Sequence, residues 1–128
     1  MRSAHTVEIR PGTAADIAQL LAGEPAPRSA YWVVAAHGER VLGGGAAFIA
    51  GSHWSVVCRI QPDIQAQLVR YRRPLLVAAQ HLIAVTRTRR LPVLAEPDPS
   101  IPGAVSFLEH LGFRRLTGNL YRLEGAHG

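Results

Sequence analysis

The stretch YWVVAAHGERVLGGGAAFIAG, residues 31 to 51, constrains this chain more than any other. Two apolar runs flank His37-Gly38 and read as an antiparallel hairpin that turns at that pair. The glycines Gly43, Gly44 and Gly45 fall inside its second strand, where they mark a bulge or close backbone packing rather than a phosphate loop. The run VLGGGAAFIAG is the longest nearly unbroken apolar stretch, and it is too short to span a bilayer.

Strand and helix patterns alternate around this hairpin, with no linker and no internal repeat. HTVEIR alternates as a strand, with Val7 and Ile9 on one face. Thr13 caps the next helix and Asp16, three residues on, completes a capping-box pair. Ile17, Leu20 and Leu21 form that helix's apolar stripe, and Gly23 stops it. HWSVVCRI is a further strand. Leu75, Leu76, Ala79, Leu82 and Ile83 recur at helical spacing, and Pro74 predicts a break or kink near Arg72–Arg73. RLPVLAE is a short strand. Ser100 is expected to cap a compact helix with Pro102 in its first turn and Gly112 after its end. FRRLTGNLYRLEG closes as a hairpin around Thr117-Gly118-Asn119.

Composition narrows the class. A chain of 128 residues with 48% apolar and 18% charged side chains reads as one globular domain over residues 1–128. MRSAHTVEIRPG lacks an apolar core, so no secretory signal is expected. A lone cysteine, Cys58, excludes an internal disulfide framework and fits a reducing compartment, which points to the cytoplasm. The net charge of +5 comes from arginine alone, because all 14 basic residues are arginines. That bias, with so much alanine, fits GC-rich bacterial or phage coding.

The arginines cluster at Arg70, Arg72 and Arg73, at Arg87, Arg89 and Arg90, and at Arg114 and Arg115. Tyr71 alone interleaves an aromatic with them, which argues for a solvated basic face and against a nucleic-acid partner. The six histidines, His5, His37, His53, His81, His110 and His127, show no metal-ligand spacing, so no metal site is expected. Ser52, Ser55, Ser100 and Ser106 occupy no nucleophile elbow. Cys58 lies in mid-strand and reads as a small core residue rather than an activated thiol.

The order strand, helix, three strands, helix, strand, helix, two strands resembles the GNAT superfamily of acetyl-CoA-dependent N-acetyltransferases over nearly the whole chain. AVSFLEHLGFRRL, residues 104 to 116, is similar to that family's last helix and the turn after it. VEIRPGTAADIAQLL resembles its opening strand and helix, and GERVLGGGAAF its second hairpin. The resemblance implies an α/β (α+β) fold with a mixed, mostly antiparallel sheet and helices on both faces. It also implies a splay between HWSVVCRI and RLPVLAE that admits the cofactor's pantetheine arm.

The chain departs from the family at two places. The family's fourth strand leads into a loop of the form Q/R-x-x-G-x-G/A, whose backbone N–H groups hold the pyrophosphate at a helix N-terminus. Here RIQPDIQAQLVRYRRPLL stands in that place, and no glycine occurs between Gly51 and Gly103. The best register puts Leu68 and Arg70 at the glycine positions, in a stretch about two residues longer than the family's. The phosphate cradle reads as lost. Side chains of Gln65, Gln67, Arg70, Arg72 and Arg73 offer another way to hold a phosphate. In catalysis, the family's proton-donating tyrosine falls on Leu108. Tyr121 could supply a hydroxyl and Glu96 could act as a base, although a half-buried strand residue and a solvated strand end are the plainer readings.

Two functions follow. The first is a non-catalytic binding or structural module with no cofactor, resembling the small GNAT-like proteins among short-tailed phage virion genes. Such a module would contact a protein partner or a second copy of itself through the Arg70–Arg73 region. The second is an acetyl-CoA-dependent enzyme that acetylates a small amine or a protein amino group. The first places the chain in a virion, the second in the bacterial cytoplasm.

Overall fold

The structure, a computed structural model, describes residues 6–27 and 29–124. His5 of the expected first strand, His127 and residues 1–5 of the stretch weighed as a signal therefore lie outside the described residues. Along the chain run β1 (Glu8–Pro11), α1 (Ala14–Leu21), β2 (Tyr31–His37), β3 (Arg40–Ala50) and β4 (His53–Ile60). Then follow α2 (Pro62–Gln65), α3 (Leu68–Thr86), β5 (Val93–Ala95), α4 (Ala104–His110), β6 (Phe113–Thr117) and β7 (Leu120–Leu123). The strands form one sheet in the order β1-β2-β3-β4-β5-β7-β6. All neighbours are antiparallel except β4 and β5.

Period-two alternation sorts side chains to the two faces. Val33, Ala35, Leu42, Ala47 and Val56 share a core with Leu75, Ala78 and Leu82 of α3 and Leu108 of α4. Trp32, Val34, Val41 and Ala46 pack with Leu20 and Leu21 of α1 on the other face. Helices on both faces of a mostly antiparallel sheet are thus found as expected. The hairpin of β2 and β3 turns at Gly38, and Ala35 and Ala36 flank a register shift against β3. Cβ atoms at Gly44 and Gly45 would strike the carbonyls of Val33 and Val57, so both glycines are there for close packing. At Gly43 a Cβ would lie 2.8 Å from Leu75 of α3.

The capping box is formed as read: Thr13 Oγ1 accepts from the Asp16 N–H and Asp16 accepts from the Thr13 N–H, both at 3.1 Å. Three local expectations are corrected. The left-handed stop of α1 begins at Ala22 (φ 48°), one residue before Gly23. Helix α3 does not break near Arg72–Arg73 but runs through Pro74. A proline there removes the one N–H that would meet the Arg70 carbonyl, and burial of Leu75, Ala78, Ala79, Leu82 and Ile83 outweighs that loss. The interruption falls earlier, at Ala66–Gln67, where the short α2 absorbs the extra length of the segment. Ser100 does not cap α4. Gly103 stands at the cap (φ 82°), while the Ser100 N–H and Oγ both donate to Asp98 Oδ1.

Strand β5 positions the site. It pairs with β4 only over Trp54–Val93, Ser55–Leu94 and Val56–Ala95. Pro97, which has no N–H to continue a ladder, follows two residues after β5 ends. Residues 57–60 of β4 continue against β3 alone. The two parallel strands therefore part, and the gap is the splay expected between HWSVVCRI and RLPVLAE. Among the described residues, no helix is long and apolar enough to cross a membrane.

Candidate functional site

The splay opens into a cleft of about 590 Å³ between α3 and α4, floored by β4. Its α3 wall carries Leu75, Ala78, Ala79 and Leu82, and its α4 wall Ala104, Phe107 and Leu108. Glu96 and Asp98 stand on the β5 side, Gln65, Gln67, Leu68 and Arg72 on the side of α2 and α3.

Backbone direction sets the chemistry of the floor. The Trp54 N–H donates to the Pro92 carbonyl, toward β5, at 2.8 Å. Every second residue of a strand turns its N–H and C=O to the same side, so Cys58 and Ile60 present theirs to the cleft beyond the end of pairing. Both carbonyls already have donors from this chain: Arg59 Nη1 to Cys58 O and Gln65 Nε2 to Ile60 O, each at 2.9 Å. Arg59 also pairs with Glu24 at 3.2 Å. The sequence singled out neither Arg59 nor Asp98; only the alternation of HWSVVCRI hinted that Arg59 shares a face with Val57. Burial pushes the Cys58 thiol up to about 11 against the opposing pull of Arg59, so it is no nucleophile at neutral pH. Hydrogen bonds from Ser100, with Arg59 nearby, hold Asp98 below the usual carboxylate range.

The turn between β4 and α3 is closed on itself. The N–H groups of Ile64 and Gln65 donate to the Gln61 carbonyl, that of Ala66 to Pro62 and that of Gln67 to Ile64. Gln67 Nε2 also donates back, to the Asp63 carbonyl at 3.2 Å. Among residues 61–70 none has positive φ. The N–H groups of residues 64–67 are therefore spent within the turn, and no left-handed residue turns them outward together as in a glycine loop.

Of the residues singled out in the sequence, Gln65, Gln67, Arg72 and Glu96 line the cleft. Arg70 and Arg73 are exposed outside it, and the Arg70 guanidinium lies 5.4 Å from the centroid of the Tyr71 ring. Tyr121 is buried in β7 opposite Ala95 and Arg115 and does not reach the cleft. Leu108, at the position of the family's tyrosine, is buried and forms part of the cleft wall. Leu68 lines the cleft while packing against the core. Among the described residues, no group of three His, Cys, Asp or Glu side chains converges as a metal site.

A seven-stranded sheet with one parallel pair, splayed at that pair, defines the GNAT N-acetyltransferase fold, and solved structures agree. A GNAT-family acetyltransferase from Desulfovibrio desulfuricans matches with TM-score 0.66 and 14% identity, over 93% of this chain and 99% of that one. The ribosomal-protein-S18-alanine N-acetyltransferase from Escherichia coli matches with TM-score 0.61 and 14% identity, covering 88% and 80%. A GNAT family acetyltransferase from Elizabethkingia anophelis, solved with acetyl-CoA bound, matches with TM-score 0.59 and 14% identity, covering 88% and 79%. No family model matches the chain, and no curated protein matches it. At such identities the likeness is one of fold.

Proposed function

We propose that this chain is a GNAT-fold binding module that does not transfer acetyl groups. The observation that carries this reading is the turn after β4, where the N–H groups of Ile64, Gln65, Ala66 and Gln67 serve the turn's own carbonyls instead of converging on a pyrophosphate. Two features support it: Leu108 has no proton to give, and Arg59 and Gln65 occupy the floor carbonyls that a pantetheine amide would seek. The cleft's volume and apolar walls suit a pantetheine arm, so the misfit is confined to the phosphates and the floor acceptors. The module meets a protein partner, or a second copy, through the exposed turn of α3 that carries Arg70, Tyr71 and Arg73.

Calorimetry with acetyl-CoA tests the reading. Losing two charge-assisted hydrogen bonds, each worth roughly 1.5–3 kcal/mol, weakens binding by about two to four orders of magnitude. Low-micromolar affinity would overturn it.

A second reading, an acetyl-CoA-dependent N-acetyltransferase acting on a small amine or protein amino group, draws on Glu96, exposed on the rim of the open cleft. There Glu96 would take the proton of the acceptor amine, Arg72 would face the phosphates, and the cofactor would supply the acetyl thioester. If that reading holds, Glu96→Gln lowers kcat by roughly 10²–10⁴-fold with little change in acetyl-CoA affinity.

A further inference from the structure

We propose that the splayed cleft binds a medium-chain alkyl carboxylate, with the chain between α3 and α4 and the carboxylate on Arg72. The inference rests on the binding-module reading and names its ligand. Three observations converge on it.

The first is the floor. Cys58 and Ile60 turn their backbone groups into the cleft, but their carbonyls are already served by Arg59 Nη1 and Gln65 Nε2. A ligand that brings N–H donors, such as a peptide or a pantetheine amide, must share each carbonyl with the side chain already bonded to it or displace that side chain. An alkyl chain makes no demand on those carbonyls. The second is the walls: Leu75, Ala79, Leu82, Phe107 and Leu108 enclose space within the roughly 300–1,000 Å³ range of small-molecule sites. An apolar cleft of this size left to water is a cost that an apolar ligand removes. The third is the mouth. Arg72 lines it and has no carboxylate partner among the described residues. Glu96 and Asp98 on the β5 side repel an anion there and leave the α3 side as the place for its head. A guanidinium takes a carboxylate through two parallel N–H···O bonds without needing the backbone cradle a diphosphate would need.

The test titrates octanoate, decanoate and dodecanoate below their micelle concentrations into the full chain by calorimetry, with decanol and acetyl-CoA as separate arms. Saturable one-to-one binding is expected, tightening about fourfold per added methylene until the cleft is full. Decanol should bind about tenfold or more weakly than decanoate. Arg72→Ala should erase that difference and keep the chain-length dependence. Ser106→Trp, which fills the cleft from an exposed position on α4, should abolish binding with the thermal melt intact. Affinity independent of chain length, or unmoved by both variants, overturns the proposal. If neither the carboxylates nor acetyl-CoA bind, this inference alone falls. If acetyl-CoA binds at low micromolar concentration, the binding-module reading falls with it.

Discussion

Asp16 shows how one residue can answer several demands at once. Its carboxylate closes the capping box of α1 and receives Arg10 Nη2 at 2.9 Å and Nε at 3.2 Å, while its side chain is only 5% exposed. The hydrogen bond from Arg10 is the main reason that its pKa lies below the usual carboxylate value, against the contrary pull of burial. A carboxylate with a lowered folded pKa stabilises the fold above its unfolded value of about 3.9 and loses that contribution as pH falls through the folded value. Asp16→Asn should therefore cost about 1–3 kcal/mol at neutral pH. It should also flatten the acid limb of stability below about pH 4. Urea melts of both proteins at pH 7 and across the acid range check this, and an unchanged acid limb would count against it. Thr13 and Asp16 were legible as a pair because a capping box is local. Arg10 was not, because its approach depends on β1 lying beside the start of α1.

At the scale of the element, β3 and α3 are fitted to each other. Gly45 lies under Leu82, and a Cβ there would come within 2.8 Å of that side chain as well as striking the Val57 carbonyl. Gly45→Ala should destabilise the fold by about 1–3 kcal/mol, because the obstruction includes backbone that cannot turn aside. A matched denaturation midpoint with the parent would refute the packing account. Pro74 makes the opposite prediction. It sits in the middle of a formed helix, so Pro74→Ala should restore the N–H to the Arg70 carbonyl and raise the melting temperature, with amide exchange in the first half of α3 slowing. The break expected at Arg72–Arg73 came from weighing Pro74 by local rules. Tertiary burial of one helical face decided otherwise and moved the interruption to Ala66–Gln67, where no large apolar side chain is buried.

At the scale of the molecule, the way α3 lies against the sheet divides the arginine cluster that looks continuous in sequence. Arg70 and Arg73, three apart on α3, share an exposed face, and Arg72 turns to the cleft. The double variant Arg70→Glu/Arg73→Glu should leave stability within about 0.5 kcal/mol of the parent, since neither residue has an acidic partner among the described residues. In sedimentation velocity the same variant should lose whatever self-association the parent shows, and a retained dimer would move the interface elsewhere.

By itself the sequence determined the alternation of strands and helices, the turns at Gly38 and Gly118, the Thr13 cap and the lack of glycine in the turn after β4. These are short-range matters of period, turn chemistry and steric freedom. The splay was legible only through resemblance; its physical cause, a three-residue β5 followed by Pro97, becomes clear once β5 lies beside β4. Only the tertiary structure decided which of the candidate residues meet. Gln65, Gln67, Arg72 and Glu96 reach one cleft, while Tyr121 is buried away from it and Arg70 leans on Tyr71. The bonds of Arg59 and Gln65 to the Cys58 and Ile60 carbonyls span only one and five residues, but that these carbonyls lie on a free strand edge is decided by the fold. That free edge depends on where β5 ends relative to β4, and no local pattern of residues encodes that distance.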